Sequence, residues 1–263
     1  MNIHKELAKV ESNKLIAHNI YEAYLYAPKI SKEVKAGQFI NILPSDDWSK
    51  VMRRPMSVAS QGNDCISIIY KVFGEGTLKM SQWKKNDYVD IIGPLGNFWS
   101  DFKDEFPILI GGGVGIAPII NLHNELINKG INHILIVGAK EKKEHFISHN
   151  PDKGIYLSTD DNDYGIKGNV IIALDQILKT VDNKIKIFTC GPHGMMHAIK
   201  KYCKDNEINC DFAVETIMAC GVGICQGCTI VRNTETQDSY REKYALACVD
   251  GPVFNIGELD DSF

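Results

Sequence analysis

The stretch Phe106-Pro107-Ile108-Leu109-Ile110-Gly111-Gly112-Gly113-Val114-Gly115-Ile116-Ala117-Pro118 decides how this chain folds. Phe106 to Ile110 is a continuous apolar run, the signature of a strand buried on both faces. It runs directly into a glycine turn. Ile119 to Lys129 then has helical character and stops at Gly130, and Pro118 suits the first turn of that helix. Strand, glycine turn and helix in that order form the context of a dinucleotide-binding turn. The match to the standard fingerprint is incomplete: Pro118 stands where the third glycine belongs. No acidic residue follows about 20 positions on to hold a ribose; the next strand ends in Gly138-Ala139-Lys140. The motif therefore reads as a variant nucleotide site, set against a tight strand–helix turn with no ligand.

Downstream the alternation continues. His133 to Gly138 and Gly154 to Ser158 read as strands, Val170 to Lys179 as a helix, Lys184 to Cys190 as a strand, and Pro192 to Lys204 as a helix. Strands and helices in turn predict a doubly wound parallel sheet. Upstream the period changes. Lys14–Ile20, Gln38–Leu43, Ile66–Val72 and Tyr88–Ile92 are short β-rich runs, punctuated by Pro28, Gly37, Pro44, Gly62, Gly74 and Gly93. Strands at this spacing predict a small antiparallel barrel. The expected organisation is β plus α/β: a barrel over residues 1–102, a nucleotide-binding α/β unit over 103–212, and a C-terminal segment over 213–263 with little regular pattern.

That segment carries Cys220-Gly-Val-Gly-Ile-Cys225-Gln-Gly-Cys228, and nineteen residues separate Cys228 from Cys248. C-x4-C-x2-C followed by a distant fourth cysteine is the ligand spacing of a plant-type [2Fe–2S] cluster. Gly221, Gly223 and Gly227 allow the backbone to wrap closely and aim N–H groups at sulfur. A zinc site, a disulfide pair and buried free thiols are the alternatives. Zinc usually takes two C-x2-C pairs or a Cys/His mixture, and only one C-x2-C is present. Cys65, Cys203 and Cys210 read as small core residues.

In the barrel, Arg54-Pro55-Met56-Ser57 opens a strand. An arginine can grip a pyrophosphate bidentately, and a serine can offer a hydroxyl or N–H to a flavin edge; an exposed arginine and an ordinary strand serine are the competing reading. Tyr70-Lys71-Val72 lies on the next strand. Gly74-Glu75-Gly76-Thr77 precedes an apparent helix over Leu78–Trp83, either a phosphate-binding terminus or a plain turn with Thr77 as N-cap. Gly93-Pro-Leu-Gly-Asn-Phe98 closes the domain as a turn. Cys190-Gly191-Pro192-His193-Gly194 sits at a strand C-terminus, where doubly wound sheets bind ligands. Cys190 is thus a pocket residue rather than an iron ligand, and His193 a cap or surface residue.

Together these motifs resemble the ferredoxin–NADP reductase superfamily, with Met56 replacing the aromatic residue of its R-x-Y-S flavin motif. Met218-Ala-Cys220 through Cys228, Ala247-Cys248-Val-Asp-Gly-Pro-Val-Phe254 and Thr159-Asp-Asp-Asn-Asp-Tyr-Gly-Ile-Lys-Gly168 resemble the electron-transfer subunits of type B dihydroorotate dehydrogenase. The resemblance covers nearly the whole chain. It implies an oxidoreductase subunit of pyrimidine (UMP) biosynthesis. Electrons would pass from dihydroorotate, through FMN in a separate catalytic subunit, to the [2Fe–2S] cluster, to FAD and to NAD, in a heterotetramer of two chains of each kind. It implies FAD binding by Arg54, Pro55, Met56, Ser57, Tyr70, Lys71, Val72, Gly76 and Thr77. Gly113, Gly115 and Cys190 would border the nicotinamide nucleotide, and Cys220, Cys225, Cys228 and Cys248 would ligate iron. No residue is assigned as catalytic, and no pyrimidine site is visible. The other readings are a small subunit of an NADH-dependent ferredoxin:NADP oxidoreductase, sulfite reductase or hydrogenase, and a non-enzymatic flavin and iron–sulfur regulator. The bifurcating oxidoreductase subunits tend to carry Asp as first cluster ligand; here that position is Cys220. Lys140 leaves NAD against NADP open, and only the resemblance favours NAD.

Composition bounds the rest. The 263 residues suffice for two domains and a small third, and 44% are hydrophobic. A net charge of −4 gives no nucleic-acid footprint. No run approaches the roughly 20 apolar residues of a membrane span. Met1-Asn-Ile-His-Lys-Glu-Leu lacks the apolar core of a signal peptide, and eight cysteines beside it predict a reducing cytoplasm.

Overall fold

The computed structural model describes residues 2–46, 52–102, 104–161, 164–233 and 239–260. Six strands close an antiparallel barrel: β1 (His4–Ala17), β2 (Ile20–Tyr26), β3 (Phe39–Ile42), β4 (Arg54–Gly62), β5 (Cys65–Lys71) and β6 (Tyr88–Leu95), in the order β1-β2-β5-β4-β3-β6. Period-2 patterning drives it: Ala8, Val10, Ala23, Leu25, Ile40, Ile42, Val58, Ile66, Ile68 and Ile91 point inward and are fully buried. β4 and β5 turn on Asn63 and Asp64, both with positive φ (52° and 59°), as a two-residue hairpin matched to strand twist requires. The run Lys14–Ile20 is not one strand. It breaks at His18-Asn19, where Asn19 takes φ 57°, and β1 begins ten residues earlier. Short helix α1 (Pro28–Glu33) covers one barrel end, its first N–H groups held by Glu6. Helix α2 (Glu75–Ser81) starts three residues before the expected Leu78. Gly74 is its N-cap, so Thr77 is the third helical residue instead of the cap. Its Oγ1 accepts from the Phe73 and Gly74 N–H groups.

The α/β half follows the alternation. Its elements are β7 (Phe106–Gly112), α3 (Ile116–Asn128), β8 (Ile134–Ala139), β9 (Ile155–Thr159), β10 (Ile166–Lys167), α4 (Val170–Leu178), β11 (Ile185–Cys190), α5 (His193–Asp205) and β12 (Asn209–Ala213). The sheet order is β10-β9-β8-β7-β11-β12 with Val253–Asn255 as a last, antiparallel strand at the edge; the others are parallel, and the order of added strands switches sides between β7 and β11. All seven residues of β7 but Phe106 are buried, as its unbroken apolar run predicts. Of the stretch Thr159–Gly168, Asn162 and Asp163 lie outside the described residues.

The last fifty residues hold more order than their sequence shows: β13 (Thr229–Val231), α6 (Tyr240–Lys243), β14 (Tyr244–Leu246) and β15 (Val253–Asn255). β15 returns to the large sheet, antiparallel to β12. Its Asn255 side chain donates to Asp211 and Asn209, and Asp211 pairs with buried Lys186 at 2.8 Å. The Gly93–Phe98 turn is an anchor as well. Asn97 Nδ2 donates to the carbonyls of Asp250 and Val253, and its Oδ1 accepts from Val253 N–H. Barrel and α/β unit join through α3: Asn121, buried, donates to the Val58 carbonyl, and Ala117 packs on Ile20, Ala59 and Ile69. Cys203 and Cys210 are core residues as expected, whereas Cys65 is half-buried at the β4–β5 hairpin. Among the described residues no helix is long and apolar enough to cross a membrane.

Candidate functional site

The four C-terminal cysteines come together as two pairs. β13 and β14 pair with Thr229 opposite Leu246, and Ala247 N–H donates to the Cys228 carbonyl. That register brings Cys228 and Cys248 together, with sulfurs 3.2 Å apart. Cys220 and Cys225 form the second pair across an irregular loop. Val222 and Cys225 N–H groups point at Cys220 Sγ, at 3.5 and 3.4 Å. Gly221 takes φ 73°, and a Cβ on Gly223 would lie 2.7 Å from the Val249 side chain, so neither position tolerates a side chain without rearrangement. Burial works to raise the Cys220 thiol, but the N–H groups of Cys225 and Val222 outweigh it and bring it down to about 7. Burial and the neighbouring Cys228 thiol push Cys248 up to about 12. No three His, Cys, Asp or Glu side chains among the described residues gather around a single ion. Two thiol pairs are what two irons require, and the donated N–H groups are those that tune such clusters. The donor set fits [2Fe–2S].

Beside this loop runs a groove of about 290 Å³ between barrel and α/β unit. Pro55, Met56, Ser57, Tyr70, Lys71 and Thr77 line it, together with Val114, Val214, Glu215 and Met218. Ser57 faces it because β4 pairs with β3, setting Ser57 beside Phe39 and Pro55 beside Asn41. The Tyr70 ring stacks on Tyr21 and its hydroxyl donates to Asn13 Oδ1, so that hydroxyl is already committed. Three expected residues stand off the groove wall. Arg54 opens β4 with its guanidinium on the Met52 and Arg53 carbonyls, Val72 packs on the barrel core, and Gly76 is buried in the first turn of α2.

A second cavity of about 460 Å³ opens at the C-terminal ends of β7, β8, β9 and β11, the switch point of the sheet. Gly112, Gly113, Lys140, Glu144, Asp160 and Met195 line it. Gly115 and Cys190 lie beneath its floor. A Cβ on Gly115 would come within 2.5 Å of the Gly191 backbone, and Cys190 is 3% exposed with its thiol raised by burial. Lys71 lines both cavities, with Nζ 2.7 Å from Glu144 of the α/β unit. Burial opposes ionisation of Glu144, but Lys71 outweighs it and holds the carboxyl below its usual range.

Several groove and cavity residues were not singled out in the sequence. Glu215 is open to solvent within the groove, yet the surrounding protein desolvates its carboxyl and raises it. Asp160, the second residue of the quoted Thr159–Gly168 stretch, lines the cavity one strand over from Lys140. Glu215 sits in no recognisable spacing; only the folded chain brings it in.

The chain is similar to known proteins along nearly its whole length. Residues 109–201 match the family model of the oxidoreductase NAD-binding domain, and residues 215–260 that of the iron–sulfur cluster binding domain of dihydroorotate dehydrogenase B. The chain is 31% identical over 260 residues to the dihydroorotate dehydrogenase B (NAD(+)) electron transfer subunit of Fusobacterium nucleatum, covering 95% of this chain and 96% of that protein. It is 33% identical over 257 residues to the subunit of the same name from Bacillus velezensis, with 95% and 96% covered. Among solved structures, that of an NADH-dependent reduced ferredoxin-NADP oxidoreductase superposes with a TM-score of 0.84 at 26% identity, covering 98% of this chain and 91% of that one. The ferredoxin reductase of carbazole 1,9a-dioxygenase shares the fold, at TM-score 0.66 and 18% identity over 79% of this chain and 67% of its own.

Proposed function

Because the chain belongs to the family of electron-transfer subunits of dihydroorotate dehydrogenase B (NAD+), we propose that it carries electrons from dihydroorotate to NAD+ in pyrimidine biosynthesis. They arrive from an FMN-containing catalytic subunit and pass through a [2Fe–2S] cluster and FAD. The observation that carries this reading is adjacency. Met218 forms part of the groove wall, and Cys220, the first thiol of the cluster loop, follows two residues later.

In this reading Cys220 and Cys225 hold one iron, and Cys228 and Cys248 the other. Arg54, Pro55, Met56, Ser57, Tyr70, Lys71, Val72, Gly76 and Thr77 form the FAD site, and Gly113, Gly115 and Cys190 the nicotinamide site. FAD supplies the conversion between a two-electron hydride and single electrons. The chain's own residues shape its surroundings. Pro55 and Ser57 form the barrel wall of the groove, while Val114 and Ala117 of the α/β unit face them and narrow access to water. Gly115 lets the turn after β7 approach Gly191, so that the β7 and β11 ends meet at the cavity floor. Lys71 spans both sites. Arg54 Nη1 donates to the Met52 and Arg53 carbonyls, which orients the guanidinium at the start of β4.

Ile217, Ile224 and Val249, next to the cysteines, are 76%, 81% and 53% exposed. An apolar rim of that kind supports docking of the catalytic subunit over the cluster, in a cytoplasmic heterotetramer of two chains of each kind. Residues 1–102, 103–212 and 213–263 then serve as the flavin, nicotinamide and cluster units.

Co-expression with the FMN-containing subunit tests the reading. Dihydroorotate should drive NADH formation only when both chains are present. Reduction of NAD+ by the catalytic subunit alone would overturn the assigned role. Coupling to ferredoxin and NADP without dihydroorotate would favour the ferredoxin-linked alternative, which the 0.84 TM-score neighbour represents.

A further inference from the structure

Asn41 is fully buried on β3, between two inward-facing isoleucines, Ile40 and Ile42. Its own side chain therefore leaves the barrel on the opposite face, where Pro55 is its neighbour on β4. There Nδ2 donates to the carbonyls of Ala219 (3.3 Å) and Cys220 (3.1 Å), at the start of the cysteine loop. The loop presses on it: a Cβ on Gly221 would fall 2.8 Å from Nδ2. Its Oδ1 is buried and has no hydrogen-bond partner among the described residues.

A half-satisfied amide at zero exposure destabilises a fold. An aliphatic side chain would fill the same space without an unpaired Oδ1, and would release the Ala219 and Cys220 carbonyls from the barrel. Local rules broken in this way mark places where function outweighs stability. The contacts of Asn41 indicate which function. On one side lies the barrel strand that carries Pro55 and Ser57 in the groove wall; on the other lies the backbone of the first thiol of the cluster loop. Single-electron transfer slows exponentially with the gap between centres, so the separation of loop and groove governs that step.

We propose that Asn41 is a positioning residue for electron transfer between cluster and flavin: by holding the Ala219 and Cys220 carbonyls to the barrel, it fixes the distance between the two centres. This rests on the electron-transfer reading above. Asn41 touches neither substrate nor the reacting atoms. It sets where Cys220 stands, in the way that outer partners orient the ligands of a metal.

The test uses the complex with the catalytic subunit, in wild-type form and with Asn41→Leu or Asn41→Asp. Leucine removes the donor at similar volume. Aspartate keeps the shape but turns an acceptor toward two carbonyls. Iron, sulfide and flavin content are measured first. Each complex is then mixed anaerobically with NADH, flavin bleaching is followed optically, and the reduced cluster is followed by freeze-quench electron paramagnetic resonance. Both variants should load cluster and flavin and bleach the flavin at the wild-type rate. Their cluster signal should appear roughly 10- to 100-fold later. A cluster signal that rises on the wild-type time course in either loaded variant overturns the proposal. Loss of the cluster from both variants with flavin retained also overturns it, because Asn41 would then serve assembly instead of the transfer step. If the wild-type cluster never accepts electrons from NADH, the underlying reading fails, and this inference with it.

Discussion

Lys71 lines both the groove and the strand-end cavity, and its ion pair with Glu144 joins barrel to α/β unit. Lys71 is 39% exposed, so solvent screens the pair and its loss costs about 1 kcal/mol or less. Lys71→Met should therefore leave Tm almost unchanged. Its effect belongs to the nucleotide: steady-state kinetics should show KM for NADH raised about tenfold, equal to about 1.4 kcal/mol of binding. A large fall in Tm with KM intact would make the pair purely structural. Cys225 provides a second contrast, because it is exposed while Cys228 and Cys248 are buried. Cys225→Ser should abolish the cluster's visible absorbance and paramagnetic signal yet preserve flavin bleaching by NADH. None of the residues lining the groove or the strand-end cavity is one of the four thiols, so the hydride step does not need them.

At the scale of elements, the pair of histidines joining α3 to β8 predicts how the fold responds to acid. His133 donates Nδ1–H to the Ile131 carbonyl, so its Nε2 must accept from His123 Nδ1–H, 2.7 Å away. Burial, and for His123 also the neighbouring ring, depresses both pKa values, that of His123 to about 4. The unfolded chain binds protons near pH 6.5 that the folded chain refuses. Stability should thus fall as pH drops from about 6.5 toward about 4. Denaturant midpoints of His123→Phe should lose the share of that slope that His123 contributes and keep that of His133. The same elements show what a sequence discloses. β7 and α3 were legible because an unbroken apolar run and a glycine turn are local signals, and the cysteine spacing fixes a donor set without any tertiary knowledge. β15 was not, because three residues gain strand character only by pairing with β12. Glu215 enters the groove through the packing of β12 and the chain after it against the barrel, which no spacing encodes. The start of α2 is hidden in the sequence because its N-cap, Gly74, has no side chain, while Thr77 has the hydroxyl that a cap usually carries.

Across the whole molecule, the cluster unit is held from several sides: by Asn41 near its first thiol, by Asn97 just after its last, and by β15 in the large sheet. Beneath β15 lies the Lys186–Asp211 pair, only 5% and 6% exposed. Lys186→Met leaves a buried carboxylate unpaired and should cost about 3–5 kcal/mol in chemical denaturation. Ile224 is exposed beside the cysteines, and Ile224→Asp should weaken association with the catalytic subunit in analytical ultracentrifugation while sparing flavin reduction by NADH. The electron-transfer role rests on what the four thiols hold. Metal and sulfide analysis of anaerobically purified protein tests that directly. The account predicts about two irons and two acid-labile sulfides per chain, with the reduced-cluster resonance appearing after NADH is added. One zinc per chain with no labile sulfide would contradict it.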